Sequence, residues 1–411
     1  MSENLSVQLE KFIPPPVLVL IKIAGTEAAT MGQELYIVGG VVRDLFLRRS
    51  NFDFDLVVEG EAISLARTLA GDSGAKLILH ERFGTAKLIY PGFSLDVATA
   101  RSETYSRPGA LPTVKPGSLK DDLIRRDFSI NAMALHLNPK QFGQLVDLYH
   151  GKQDIEQKLI RILHPDSFID DATRIMRAIR YEQRLDFKLE PETDKLLRRD
   201  VAMLDTISGD RLRRELELML KENKPERILV RAEELGVLKQ LHPSLKASSK
   251  LVRAFVRARE MTKSSLPAVY LCLFIYGLTE KENEEFIKRV NFPRMSAEAM
   301  RQTLQLKKQL NKLDQPGLKP SQVYELVHGY STVAIQANAI SSELPAVRQN
   351  LTLYLDKLRY VKPILTGKDL IKMGVPSGPK IGEILATLLK AKLNGQVRTK
   401  KNEEELVNTF H

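Results

Sequence analysis

Apolar and polar positions follow two rhythms along the chain, and the change between them falls near residue 150. Residues 14–31 read as a helix that leads into a strand at Leu35–Val38, and Val41–Arg48 reads as a short helix. Phe52–Val58 then alternates apolar and acidic residues, which is the period of a strand. A helix is expected over Ala62–Ala70, followed by strands at Lys76–His80, Thr85–Tyr90 and Phe93–Ala98. Pro91-Gly92 marks the turn between the last two strands. Pro108, Pro112 and Pro116 predict a loop, a helix is expected from Leu119, and a strand near Ala132–Leu137. The pattern predicts an α/β head over residues 14–150 with a small mixed sheet.

Beyond residue 150 the chain reads almost wholly as amphipathic helices. Leu212, Leu216, Leu218 and Leu220, with charges between them, exemplify the spacing. Prolines from Pro225 to Pro363 punctuate the helices. We expect an all-α neck over 151–222, a helical body over 223–330 and a helical tail over 331–411.

Composition narrows the class. At 411 residues, with 43% hydrophobic and 27% charged, the chain is long enough for two to four domains with real cores. Sixty-two Lys and Arg against 51 Asp and Glu leave a formal charge of +11, which suits either solubility or a polyanionic partner such as nucleic acid. The single cysteine, Cys272, excludes an intramolecular disulfide, and it lies in an apolar stretch as a small buried hydrophobe would. Seven scattered histidines offer no metal-ligand spacing. Val17–Ile23 and Leu266–Leu278 are too short to span a bilayer, and the polar, mixed-charge start lacks the form of a signal peptide. A cytoplasmic protein without membrane partners is expected.

Asp53-Phe54-Asp55 falls on a predicted strand, so its carboxylates share one face. Paired carboxylates form a hard oxygen site suited to Mg²⁺, although a solvated strand face has the same pattern. Gly39-Gly40 ends the preceding strand and opens a helix bearing Arg43, where backbone N–H groups can approach phosphate. Asp96 lies on another predicted strand, either as a third carboxylate that takes the proton of an attacking hydroxyl or as an edge charge. Arg174, Arg177 and Arg180 recur every three residues and share a broad helix face with Asp171. They fit either a solvated helix with ion pairs or a site for an anion such as a triphosphate, with Arg126 as a further cation.

These segments, in order, are Gly39-Gly40-Val41-Val42-Arg43-Asp44, Asp53-Phe54-Asp55, Arg125-Arg126-Asp127-Phe128-Ser129-Ile130-Asn131-Ala132 and Asp171-Ala172-Thr173-Arg174-Ile175-Met176-Arg177-Ala178-Ile179-Arg180. Together they resemble the class II tRNA nucleotidyltransferases (CCA-adding enzymes) and bacterial poly(A) polymerases, within the DNA polymerase β superfamily. The resemblance implies a polymerase β-like head and Mg²⁺ on Asp53 and Asp55, with Asp96 as a further catalytic candidate. It also implies that Gly40, Arg43 and Arg126 hold the triphosphate and that Asp171 and Arg174 read the incoming base, with Arg177 and Arg180 as nucleotide contacts beside them. A carboxylate and a guanidinium complement the amino group and ring nitrogen that cytosine and adenine both present. Asp170 stands where the family commonly has Glu. Ser208–Leu216 resembles the supporting neck helix, with Ser208 as N-cap and an Arg211–Glu215 pair at i, i+4.

Leu365–Leu370 and Gly374–Gly382 resemble the family's tail, and the lysines there, including Lys368, Lys372, Lys380 and Lys390, are candidate RNA contacts. The implied partners are the acceptor and TΨC arms of tRNA, with CTP and ATP as substrates. Ala98–Tyr105, with Ala110-Leu111-Pro112 after it, looks nearer to relatives that add only CC or only A. Full CCA addition is the expectation. CC-only or A-only addition, poly(A) polymerase and a non-catalytic tRNA-binding homologue are the alternatives.

Overall fold

In a computed structural model, residues 3–49, 53–71, 74–110, 112–261 and 266–410 are described, which leaves Phe52 and Leu111 outside. The chain forms two compact units, one of Met1–Glu215 with Glu234–Gln240 and one of Leu216–Glu233 with Leu241–His411.

The first unit is organised by strands β1 (Glu34–Val38), β2 (Asp53–Glu59), β3 (Lys76–His80), β4 (Thr85–Tyr90), β5 (Phe93–Thr99), β6 (Arg101–Thr104), β7 (Thr113–Pro116), β8 (Ala134–His136) and β9 (Leu145–Val146). Seven of them make one sheet in the order β3-β4-β5-β2-β1-β8-β9. The β2–β5 pair is parallel and the other neighbours are antiparallel, so the sheet is mixed as expected. Alternation along β2 explains its central place. Phe54, Leu56 and Val58 are fully buried on one face, while Asp53 and Asp55 belong to the other. Helices Pro15–Thr30 and Ala62–Gly71 contact the sheet and each other. Gly25 lets the first of these close onto β8, because a Cβ there would sit 2.0 Å from the Leu137 carbonyl oxygen. A second apolar cluster joins Tyr36, Val38 and Val57 to Leu119, Leu123 and Ala134.

Two expectations for the head need correction. The proline-marked loop contains the β6–β7 hairpin, with Glu103 opposite Val114. Pro108 and Pro112 fall in its connection and Pro116 ends β7, positions where a missing N–H costs no internal ladder bond. The helix expected to run to Arg48 ends at Phe46, and Arg48 adopts a left-handed backbone (φ 53°).

The neck is not all-α as expected: within the first unit Leu159–Ile160 pairs in parallel with Lys188–Leu189, around helices that include Thr173–Leu185, before helix Pro191–Asp200 and the start of Gly209–Leu220. The expected head and nearly all of the expected neck thus lie in this one unit. The second unit is helical throughout its described residues. Its tail helices Gly367–Lys372, Pro379–Leu393 and Lys400–Asn408 share a core of Leu365, Leu370, Ile384, Leu388 and Val407. Cys272 is 1% exposed there, and burial pushes its thiol up to about 11, as suits a packing role. No helix among the described residues is long and apolar enough to cross a membrane.

Candidate active site in the first unit

The sheet register assembles the acidic cluster. Parallel pairing sets Asp55 directly beside Asp96, and antiparallel pairing sets it beside Val38, the last residue of β1. Asp53, Asp55 and Asp96 each present a carboxylate oxygen within 4.8 Å of the others. Burial, reinforced by the charge of Asp53, pushes the Asp55 carboxyl up to about 6. Three converging hard-oxygen donors, whose mutual repulsion Lys87 and Arg126 offset only in part, fit a divalent cation. Lys87, opposite Asp96 across the β4–β5 ladder, pairs with it at 2.7 Å.

The chain leaving β1 brings the phosphate candidates to the same place. Gly39 has φ 76°, and a Cβ there would lie 2.9 Å from the Arg126 Nη1 and 3.9 Å from the Asp55 Oδ2. Only glycine accommodates both the backbone and the approach. One cavity of about 560 Å³ is lined by Gly39, Gly40, Arg43, Asp53 and Asp55 on this side and by Arg126, Asp171, Arg174 and Arg177 on the other. Asp96 and Arg180 do not line it.

The arginines are held by the protein. Arg43 is 3% exposed, grips Asp44 in a fork at 2.8 and 2.9 Å, and donates to Asn131 Oδ1 at 2.7 Å. Asn131 donates to Asp127 Oδ1 at 3.0 Å, and Asp127 Oδ2 takes Arg177 Nε and Nη2 at 3.0 and 2.5 Å. Burial works to raise the Asp127 carboxyl, but Arg177 and Asn131 hold it below the usual carboxylate range. Arg126 is fixed by Asp122, at 3.2 Å from Nε and 2.9 Å from Nη2. Arg174 donates to the carbonyls of Arg125 (2.6 Å) and Ser167 (3.3 Å). Mutual repulsion along the arginine helix is therefore relieved partly by protein acids. Glu215 lies 4.0 Å from Arg177 and 3.9 Å from Arg180, which is 6% exposed. Asp127→Asn should cost about 1.5–3 kcal/mol, because it removes the close charge partner of Arg177, which Glu215 at 4.0 Å replaces only in part. Urea unfolding would measure this, and a loss under 1 kcal/mol would contradict the reading.

Asp171 precedes the arginine helix, and its Oδ1 accepts from Thr173 N (2.9 Å), Thr173 Oγ1 (2.6 Å) and Arg211 Nη2 (2.6 Å). All three bonds fall on one oxygen, so Oδ2 remains for a ligand. The expected Arg211–Glu215 pair does not form. Arg211 reaches Asp171, while Glu215 faces Arg177 and Arg180. Ser208 does cap its helix, with Oγ 3.4 Å from the Arg211 N–H.

Sequence reasoning passed over several lining residues. Tyr181 lies one turn after Arg177, with its ring centroid 5.4, 5.7 and 5.0 Å from the guanidinium carbons of Arg43, Arg177 and Arg180. Glu103 and Tyr105 enter from β6 and the chain just after it, joined by a 3.0 Å hydrogen bond, and Arg125 pairs with Glu103 at 3.1 Å. Ala98–Tyr105, which holds both, had stood out only for its resemblance to CC- or A-adding relatives, because the prolines concealed the hairpin that brings it to the cavity. Lys368, Lys372, Lys380 and Lys390 are exposed on two helices of the second unit and do not line this cavity.

Comparison with known proteins identifies the family. Residues 35–161 match the family described as "Poly A polymerase head domain", and residues 261–408 match tRNA nucleotidyltransferase domain 2. The chain is 34% identical to an A-adding tRNA nucleotidyltransferase of Geobacter sulfurreducens, over 98% of this chain and 49% of that protein. It is 32% identical to the A-adding tRNA nucleotidyltransferase of Halalkalibacterium halodurans, over 100% of this chain and 96% of that protein. It thus spans about half the length of the Geobacter relative and of an Aquifex aeolicus relative with the same name (45%). A solved apo CCA-adding enzyme superposes with a TM-score of 0.85 at 32% identity, covering 100% of this chain and 99% of that one. The Thermotoga maritima CCA-adding enzyme complexed with tRNA superposes at 0.81 and 32% identity, covering 99% and 98%. CCA-adding enzyme complexes with ATP and with CTP both superpose at 0.83.

Proposed function

The chain belongs to the class II tRNA nucleotidyltransferases, and on that premise we propose that it adds CCA to the 3′ end of tRNA from CTP and ATP without a nucleic-acid template. The observation that carries the proposal is one cavity joining the Asp53–Asp55 carboxylate pair to six arginines and to Asp171. Asp53 and Asp55, with Asp96 beside them, would hold Mg²⁺, which would neutralise charge on the phosphates and polarise the α-phosphorus.

The chain's own residues do the positioning. Arg43 and Arg126, pre-set by Asp44 and Asp122, hold the triphosphate near the Gly39-Gly40 turn. The tRNA 3′-hydroxyl oxygen bonds to the α-phosphorus, the bond to the β-phosphate oxygen breaks, and pyrophosphate leaves. Asp96, on the strand beside Asp55, would take the hydroxyl proton. Asp171 Oδ2 accepts from the exocyclic amino group of cytosine or adenine, and Arg174 donates to the adjacent ring nitrogen. Arg177 and Tyr181 complete the wall, and Arg180 acts behind it through Tyr181 and Glu215.

The head (14–150) would carry the chemistry and the neck (151–222) the base recognition. The body (223–330) would support the tail (331–411), which binds the acceptor and TΨC arms. The tail turn carries Gly374 and Gly378 at φ 91° and 141°, flanked by exposed Lys372 and Lys380, a backbone suited to a phosphate chain. A-only addition is the second reading. It is favoured by the names of the Geobacter and Halalkalibacterium relatives and by the β6–β7 segment, which brings Glu103 and Tyr105 to the cavity.

Labelled CMP and AMP should enter tRNA trimmed of its last three nucleotides, and an unrelated RNA oligonucleotide should remain unextended. Incorporation of AMP alone, confined to a CC end, would establish the second reading. Long adenylate tracts on the unrelated RNA would contradict both.

A further inference from the structure

The second unit has a cavity of its own, about 590 Å³, close in size to the nucleotide cavity of the first unit at about 560 Å³. Second-unit residues alone line it. Its apolar surface includes Leu273, Phe274, Leu310 and Leu344, and the ring of Tyr276 joins them, tethered by its hydroxyl to Asn338 Oδ1 at 3.0 Å. A pocket of this size and lining accommodates a small organic ligand.

Its charges are unbalanced. Five cations line it, Lys246, Lys250, Arg253, Arg257 and Lys307, against the single carboxylate of Glu343. Glu343 pairs with Lys250 at 3.5 Å. Lys246 and Arg253 have no ion-pair partner among the described residues. The other two cations meet only carbonyl oxygens as hydrogen-bond acceptors. Arg257 Nη1 donates to Ile340 O at 2.7 Å, and Lys307 Nζ donates to Tyr276 O at 2.6 Å. A guanidinium carries five N–H donors and an ammonium three, so most of their donors are unspent. Lys307 also sits 4.7 Å from the Tyr276 ring centroid, and burial holds its amine below the usual lysine range. Arg257 and Lys307 are half-buried and the other three cations are exposed, so an acceptor-rich anion can reach this cluster from solvent, and the apolar lining suits a ring or chain beside it.

We propose that this cavity is a second ligand site, taking a free, nucleotide-sized aromatic phosphate whose ring lies on Phe274 and Tyr276 and whose phosphate meets Arg253, Arg257 and Lys307. The site is independent of the catalytic reading, since no residue of the first unit belongs to it.

AMP is the probe, applied to the full chain in EDTA, with amide hydrogen exchange as the readout. AMP should slow exchange in residues 249–261 and 332–344, whatever it does in the head. Lys246→Glu with Arg253→Glu, both at exposed positions, should weaken that protection at least tenfold and leave the circular dichroism spectrum unchanged. Lys307→Met, which keeps the packing but removes the charge, should weaken it too. Protection confined to residues 39–55 and 171–184, or unchanged in the double variant, would overturn the proposal. Release of AMP from residues 249–261 by tRNA would assign the pocket to a nucleotide of RNA and overturn the free-ligand reading.

Discussion

Asp55→Asn will produce a folded chain that transfers nucleotide at least about a thousand times more slowly, equivalent to ~4 kcal/mol on the barrier. It removes one of three carboxylates whose oxygens lie within 4.8 Å, and with it the charge that would hold the cation. A second consequence runs the other way. The Asp55 carboxyl is pushed up to about 6 by burial and then by Asp53, so its ionised form is disfavoured in the folded chain relative to the unfolded one. The folded state then binds more proton than the unfolded state between about pH 4 and 6, and the chain loses stability as pH rises through that window. The metal-free Asn variant should therefore be more stable than the parent by about 1–2 kcal/mol at pH 8, with the difference gone near pH 4. Urea titrations at both pH values test this. Equal stability at pH 8 would show that the carboxylate carries no such cost.

Asp171→Ala should relax the choice of base while leaving divalent-cation binding intact. On the proposed reading the parent carboxylate would reject UTP and GTP, because their carbonyl oxygen would face an acceptor and leave it unpaired. That mismatch is worth roughly 1–3 kcal/mol, or about 5- to 150-fold in relative kcat/KM. The Ala variant should lose that factor for UTP against CTP. Manganese binding, followed by electron paramagnetic resonance, should be unchanged, since Asp171 is not one of the three clustered carboxylates. Arg211, which donates to Asp171 Oδ1, would then act as a positioning residue, and Arg211→Lys should preserve more of the discrimination than Arg211→Ala. Unchanged rejection of UTP in Asp171→Ala would remove the base-reading role.

The strands and the carboxylate face were legible because they depend on local alternation. Phe54 and Leu56 point one way and Asp53 and Asp55 the other, whatever the sheet order. The adjacency of Asp96 was a matter of register, which a strand's own sequence does not contain. The arginine helix was legible by its three-residue spacing, but its neutralisation was not. Asp127 and Glu215 meet Arg177 from 50 and 38 residues away, and only the fold brings them there. The same holds for Arg211. Its i, i+4 neighbour on the helix was the obvious partner, yet Asp171, 40 residues earlier, offers a carboxylate already turned by Thr173. The β6–β7 hairpin was hidden because proline signals a break without saying whether it lies in a strand or at its tip.

The most direct measurement offers tRNA lacking its 3′ CCA to the wild-type chain with all four nucleoside triphosphates and Mg²⁺, and sequences the products. The expected result is CCA on the trimmed ends, with no uridylate or guanylate. Ends left unextended by both CTP and ATP, or extended with all four bases alike, would contradict a single cavity that reads the base and transfers the nucleotide.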